Sequence, residues 1–305
     1  MSNVLIGVAL HCLLVASLPI LLACVIRKTK ARMQGRPGPP FLQPALDLAK
    51  RLKKSDTVSE TTSWVFRANP LVGVALTVWL ALVLPWTGAT PILRGSGVAD
   101  LILIVYLLAA IRFFAILAAL DTGSAFGGLG ASREAALSVL IEPGLVIGLA
   151  AASLSSRTLD LSIGLGSPVR PTVAILSAAA FLIAALSELS RMPIDDTTTH
   201  LELTMVHEAT ILEYSGRRLA LIEWTVMIRT AMFFGIAAVL LVNGMFGPDA
   251  ATNPLIIGTG VIAAGLFLAV FEGVSVKLNW RRVPSFVAFS TALAVMSAFV
   301  AAVER

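Results

Sequence analysis

Carboxylates and imidazoles crowd one stretch of an otherwise apolar chain. Between Glu188 and Trp224 stand Glu188, Asp195, Asp196, Glu202, Glu208, Glu213 and Glu223, together with His200 and His207. Proton-exchanging groups at this density suit two tasks: docking a soluble protein, or feeding charge into the apolar segments on either side. His200 and His207 are seven residues apart, so a helix would place them on one face. The run His207-Glu208-Ala209-Thr210-Ile211 lacks the second histidine of the H-E-x-x-H pattern. A titrating or hydrogen-bonding histidine is therefore expected rather than a zinc ligand. No metal site is expected in this chain. Its two cysteines, Cys12 and Cys24, share one apolar run, while zinc and iron–sulfur sites take three or four ligands. Any redox centre must belong to another subunit.

A second set of ionisable residues falls inside apolar runs: Arg112, Glu142, Glu188, Glu223, Arg229 and Glu272. Within hydrocarbon such groups cost several kcal/mol and face a cavity, a partner or an ion path. At a rise of about 1.5 Å per residue, Glu188, Glu223 and Glu272 lie within a turn of one membrane face. Arg112, Glu142 and Arg229 lie roughly 10–12 Å in from that face. The far half holds no acidic or basic group other than the titratable His11. This asymmetry predicts a half-channel that enters from one side, stops near the midplane and passes charge sideways into a neighbouring membrane chain. Glu142 precedes Pro143 and Gly144. Proline removes a backbone donor and is expected to break or loosen the helix there, beside a carboxylate placed to bind a proton or to pair with Arg112 or Arg229. Asp121 and Glu134, at either end of the segment 121–133, extend the acidic set.

The elements that carry these groups follow from composition. About 57% of the residues are hydrophobic and 13% charged. Apolar runs longer than 18 residues recur, which predicts an all-α polytopic membrane protein. Eight spans are expected, at about 4–26, 69–86, 99–120, 134–153, 171–190, 222–244, 254–275 and 285–303, in a single membrane domain. The runs are continuous rather than alternating, which excludes a β-barrel. Lys and Arg crowd one set of loops, at 27–68, 121–133, 191–221 and 276–284, by about 17 to 4. Those loops are read as cytoplasmic and both termini as outside. The net charge of +5 is then topological and implies no nucleic-acid partner.

The first cytoplasmic loop has a pattern of its own. Gly35-Arg36-Pro37-Gly38-Pro39-Pro40 is a rigid turn. The segment 41–54 then reads as a short amphipathic helix, with Leu42, Ala45, Leu46, Ala49 and Leu52 on one face and Asp47, Lys50, Lys53 and Lys54 on the other. Such a helix lies along the bilayer surface, as an anchor or as part of a docking face or cavity mouth. The glycine-rich run Asp121–Gly130 follows no strand, so it is expected to be a close-packed loop, not a phosphate cradle.

Three of these segments together resemble one family. Gly35-Arg36-Pro37-Gly38-Pro39 with Gln43, Asp47 and Lys50 resembles the loop after the first span in subunit 1 of respiratory complex I. Arg191-x-Pro193-x-Asp195, followed by Glu202 and by Glu213-Tyr214-Ser215-Gly216, resembles the acidic loop of the same subunit. Arg133 and Glu142 match its fourth span. The stretch Tyr106–Phe114, the run Leu120–Ser124, and Gly130–Ala135 with Glu142-Pro143 are more similar to the hydrogenase branch. That branch comprises the membrane subunits of formate hydrogenlyase and the group 4 nickel–iron hydrogenases. The segment Thr197-Thr198-Thr199-His200 departs from complex I, where the run is more acidic.

The resemblance implies a non-catalytic connector subunit of an oxidoreductase complex in a bacterial or archaeal inner membrane. Its implied partners are hydrogenase-like large and small subunits, an iron–sulfur subunit and antiporter-like membrane subunits. The iron–sulfur clusters, and a nickel–iron site where one exists, belong to those partners. The chain itself binds no cofactor on this reading, which leaves quinone open. Arg36, Gln43, Asp47, Lys50, Arg133, Arg191, His200 and His207 are the docking or cavity candidates. Glu142, Glu188, Asp195, Asp196, Glu202, Glu213, Glu223, Glu272, Asp121 and Glu134, with Arg112 and Arg229, are the candidates for coupling electron transfer to the translocation of protons or sodium ions. A quinone-site subunit of the complex I kind is one alternative. A secondary transporter is another, and it would need paired broken helices and polar groups in the far half.

Overall fold

A computed structural model describes residues 2–195 and 205–303, and among them every regular element is helical. In chain order these are α1 (Ser2–Met33), α2 (Gln43–Leu52), α3 (Trp64–Val83), α4 (Leu101–Asp121), α5 (Ala125–Ser156), α6 (Leu161–Gly164), α7 (Pro171–Glu188), α8 (His207–Ile211), α9 (Gly216–Phe246), α10 (Pro248–Ala251), α11 (Pro254–Val274) and α12 (Val283–Val303). Eight of them are long and apolar enough to cross a bilayer: α1, α3, α4, α5, α7, α9, α11 and α12. Side-chain caps fix several starts. Ser63 accepts from the Val65 amide, Asp100 from Ile102, and Asn253 from Leu255. Pro171 and Pro254 occupy first-turn positions, where no amide donor is needed.

The helix α9 is the axis of the bundle. Its residues from Ile228 to Leu240 are buried on every side, as a helix that is apolar all round requires. Around it, small residues let helices approach closely. At Gly265 of α11 an added Cβ would come within 2.2 Å of Leu22 Cδ1 on α1. Ser290 and Ser297 of α12 donate to the carbonyls of Ala180 and Val173 on α7. The outward faces carry Leu13, Phe113, Val139, Phe267 and Phe299, all exposed, as a lipid-facing surface would.

The structure extends several spans beyond their apolar windows. The helix α1 runs on to Met33, and α9 starts at Gly216 rather than near residue 222. These added turns are polar, so hydropathy alone misses them. The glycine-rich segment expected as a loop is a loop only as far as Ser124. From Ala125 it is helix. The Ser124 hydroxyl accepts from the Gly127 amide, and that cap with tertiary packing overrides the poor helix propensity of glycine. The expected break at Pro143 does not occur either. The helix α5 continues through it, since one lost donor is tolerated within a packed bundle.

The surface helix α2 is present, with a different inward face. Pro44 and Leu48 pack on the bundle, while Phe41, Leu42, Leu46 and Leu52 are exposed. That leaves an apolar strip for the bilayer boundary. Before it, Gly35 and Gly38 both hold positive φ in the tight turn, and Lys28 Nζ donates to the Pro37 and Pro39 carbonyls.

Candidate functional site

Four of the six ionisable residues singled out in the spans converge. Arg112 on α4 donates through Nη2 to Glu142 Oε1 on α5 at 3.0 Å. Its Nη1 lies 2.9 Å from Glu188 Oε2 at the end of α7. Arg229 on α9 donates to Glu188 Oε1 and sits over the Phe233 ring at 5.8 Å. Two guanidinium groups thus clamp one carboxylate, and one of them reaches on to a second. The Glu188 side chain is fully buried, whereas 42% of the Glu142 side chain is exposed, on the flank of the bundle. Buried charges persist only when paired in this way.

Beside this cluster lies a void of about 40 Å³, bordered by Arg112, Glu134, Glu188, His207, Thr210 and Arg229. It is of the order of one water molecule in size. Glu134 comes from the third turn of α5, and its Oε2 is buried with no hydrogen-bond partner among the described residues. The helix α8 caps the void. It approaches so closely that a Cβ on Gly130 would meet Ala209 Cβ at 2.9 Å and the Thr210 amide nitrogen at 3.1 Å.

On the loop side a larger chamber of about 570 Å³ opens between α1, α2, α8 and α9. Ala23, Ile26, Leu219 and Ile222 give it apolar walls, and Arg27, Lys30, Arg51 and Arg191 bring cations. All four of these cations are answered. Arg51 pairs with Glu223, Lys30 and Arg191 pair with Glu272, and Arg27 donates to Asp47 Oδ2 at 3.1 Å. Gln43 donates to the other oxygen of Asp47 at 2.8 Å. His207 borders both the chamber and the small void. Burial, reinforced by the positive charge of Arg229 and Arg191 against the pull of Asp195, lowers its pKa from 6.5 to about 4.

Two further contacts hold the acidic segment in place. Asp195 accepts from Lys277 Nζ at 2.6 Å and from the Val206 amide at 3.0 Å, so it ties together the two ends of the stretch between them. Tyr214 stacks on Phe66 with ring centroids 4.0 Å apart. Its hydroxyl donates to the Phe66 carbonyl at 3.0 Å and accepts from Asn69 at 3.1 Å. Pro70, four residues on, has no amide to offer that carbonyl. Burial, the largest influence, pushes the Tyr214 phenol up to about 12.

With this geometry established, comparison with known proteins is direct. A model of the NADH dehydrogenase family matches residues 5–303. The chain belongs to the NADH dehydrogenase family. Among its relatives, formate hydrogenlyase subunit 4 of Escherichia coli is 32% identical over 278 residues, covering 87% of this chain and 88% of the relative. Hydrogenase-4 component C of the same organism is 35% identical over 207 residues, 66% of this chain and 63% of the relative. A subunit of the NADH-quinone oxidoreductase of Thermomicrobium roseum is 34% identical over 255 residues, 73% of each chain. The fold matches a chain in the structure of the membrane-bound sulfane sulfur reductase, an archaeal respiratory membrane complex, with TM-score 0.78 and 19% identity over 98% of this chain and 99% of that one. Eight apolar helices and these relatives make the chain a multi-pass membrane protein.

In this member of the NADH dehydrogenase family, the coupling candidates divide into groups. Arg112, Glu142, Glu188 and Arg229 form the central cluster, with Glu134 beside it. Glu223 and Glu272 face the chamber end in separate ion pairs. Glu213 is exposed between α8 and α9. Asp121 accepts from the Ser63 amide and hydroxyl and from the Phe66 amide, which is the work of a cap on α3. Of the docking candidates, Arg36 and Lys50 are exposed. Arg133 donates to the Met205 carbonyl at 2.9 Å and lies over Trp280 at 5.8 Å. Asp196, His200 and Glu202 fall outside the described residues. Lys30 and Lys277 were not singled out from the sequence. The signal was available, since each buried carboxylate requires a cation and both lysines sit at the correct membrane end.

Proposed function

We propose that the chain is the connector subunit of a complex I-like, hydrogenase-type respiratory complex, joining a soluble redox arm to ion-translocating membrane subunits. One observation carries the reading: Arg112 bridges the enclosed carboxylate Glu188 to Glu142, which opens on the flank of the bundle. An ionisable side chain exposed at that depth requires protein or water against it. An antiporter-like membrane subunit seated there would receive charge arriving from the loop side. The ion is a proton on this reading, since the path consists of carboxylates, guanidinium groups and an imidazole. The exposed Arg36 turn and the exposed Glu213 face the soluble arm, whose hydrogenase-like and iron–sulfur subunits carry the metals. Orientation follows the basic loops, with the chamber on the cytoplasmic side of the inner membrane and both termini outside.

The test is Glu142→Gln in the native complex. Assembly and electron transfer are expected to persist while proton translocation is lost. Unaltered translocation would remove Glu142 from the path and the reading with it. Co-purifying subunits and their metals identify the redox arm.

The chamber favours a second reading, reaction with a quinone. It opens where α1, α2 and α9 meet and combines apolar walls with polar groups. Its volume falls within the range of small-molecule sites, about 300–1,000 Å³. Tyr214 and the neighbouring cations would contact a headgroup, and Ile26, Leu219 and Ile222 a prenyl tail. Organic extraction of the purified complex decides between the readings, because stoichiometric quinone would favour the second.

A further inference from the structure

The chamber and the void beside the ion-pair cluster share three wall residues: Leu189, Val226 and His207. Two are hydrocarbon. The third is the one titratable side chain, among the described residues, that borders both spaces. A proton travelling from the chamber to the enclosed carboxylates therefore meets either apolar wall or imidazole.

We propose that His207 is the proton-carrying gate between the chamber and the enclosed carboxylates; this rests on the coupling reading above. Three features support it. Among the described residues no hydrogen bond fixes its ring, so a turn of the ring breaks none. Its backbone is held firmly, because α8 packs on Gly130 through Ala209 and Thr210, and the Thr210 hydroxyl donates to the His207 carbonyl at 2.7 Å. Its charge state is biased toward neutral by burial and by Arg229 and Arg191, against Asp195. A neutral imidazole carries one proton and one vacant nitrogen, as a relay requires.

The transfer is balanced. The vacant nitrogen takes a proton from the chamber, giving imidazolium. The other nitrogen then releases its own proton toward the unpartnered Oε2 of Glu134, directly or through one water in the void. Glu134 becomes a carboxylic acid and the ring is left as the opposite tautomer. Rotation of the ring restores the starting arrangement. Charged groups surround this path on both sides: Arg112 from α4, Glu134 from α5, Glu188 from α7, Arg229 from α9 and Arg191 and Asp195 from the segment before α8, and towards the chamber Arg27 and Lys30 from α1, Arg51 from α2, Glu208 from α8 and Glu223 from α9.

The experiment uses the native complex in sealed liposomes, turning over on its own electron donor, with protons moved and electrons transferred recorded together. His207→Ala is expected to lower translocation at least tenfold with electron transfer retained, and added imidazole, small enough for the chamber, to restore it. His207→Gln, which hydrogen-bonds without ionising, is expected to stay uncoupled. Normal translocation in His207→Ala while Glu142→Gln is dead would overturn the gate and leave the coupling reading standing. Normal translocation in both would remove that reading too. Should the variants fail to assemble, diethyl pyrocarbonate on the wild-type complex replaces them. Translocation is then expected to fall in step with carbethoxylation of the His207 peptide, and modification without loss would refute the gate.

Discussion

Glu188 offers the sharpest test of the cluster. Replacing it with Gln removes one negative charge from between Arg112 and Arg229 without changing shape. Arg112 keeps Glu142 at 3.0 Å. Arg229 loses its paired carboxylate and keeps, among the described residues, the Phe233 ring and the more distant Glu134 across the void. Both arginine side chains are about nine-tenths buried or more, so the stranded charge is poorly screened. Removing one member of a buried ion pair costs about 3–5 kcal/mol. At about 1.4 kcal/mol per tenfold, that is a loss of roughly two to three and a half orders of magnitude in the folded-to-unfolded ratio. A second change, Arg229→Gln in the Glu188→Gln background, removes the stranded cation and is expected to recover about 2–3 kcal/mol as coupling energy. The assay is reversible unfolding of the chain in mixed micelles, read by tryptophan fluorescence for the wild type, both single variants and the double variant. If Glu188→Gln costs under about 1 kcal/mol, or the cycle shows no coupling, the clamp does not stabilise the bundle as argued.

Three other outcomes follow from the same geometry. Tyr214→Phe keeps the stack on Phe66 and loses both hydrogen bonds of the hydroxyl, so unfolding in the same assay should show a cost of about 1–3 kcal/mol. Gly130→Val places side-chain atoms where Ala209 and the Thr210 backbone already sit; α8 must shift, and proton translocation should fall while electron transfer by the complex persists. The depressed pKa of His207 means that the unfolded chain binds its proton more tightly than the folded one between 6.5 and about 4. Stability should then hold above pH about 6.5 and decline as pH falls toward 4, a slope that thermal melts of His207→Gln should lack.

Much of the architecture was readable because hydrocarbon-length apolar runs leave the helix as the one solution in a bilayer. The common depth of Arg112, Glu142 and Arg229 was readable, since depth follows from counting residues along each span, whereas Glu188 was expected nearer the loop face. Which carboxylate meets which arginine was not readable, because the rotation of each helix about its axis is set by packing against its neighbours. Asp121 looked like one more coupling acid. Its contacts at the start of α3 depend on how two distant helix ends meet, which spacing does not encode. The placement of His207 was equally hidden. A histidine in a polar segment looks solvated, and only the contact of α8 with Gly130, together with the Asp195–Val206 tie, draws it inward. The glycine-rich start of α5 misled for the same reason, because propensity there yields to a partner supplied from elsewhere in the chain.

Pro70 gives the acidic segment its fixed address. By withholding an amide from the Phe66 carbonyl, it leaves α3 with an acceptor that its own backbone does not fill, and the Tyr214 hydroxyl supplies the missing donor. An alanine at position 70 would complete the helical ladder and make that donor redundant. What reads as a flaw in one span thus becomes a socket for another part of the chain, 148 positions away in sequence.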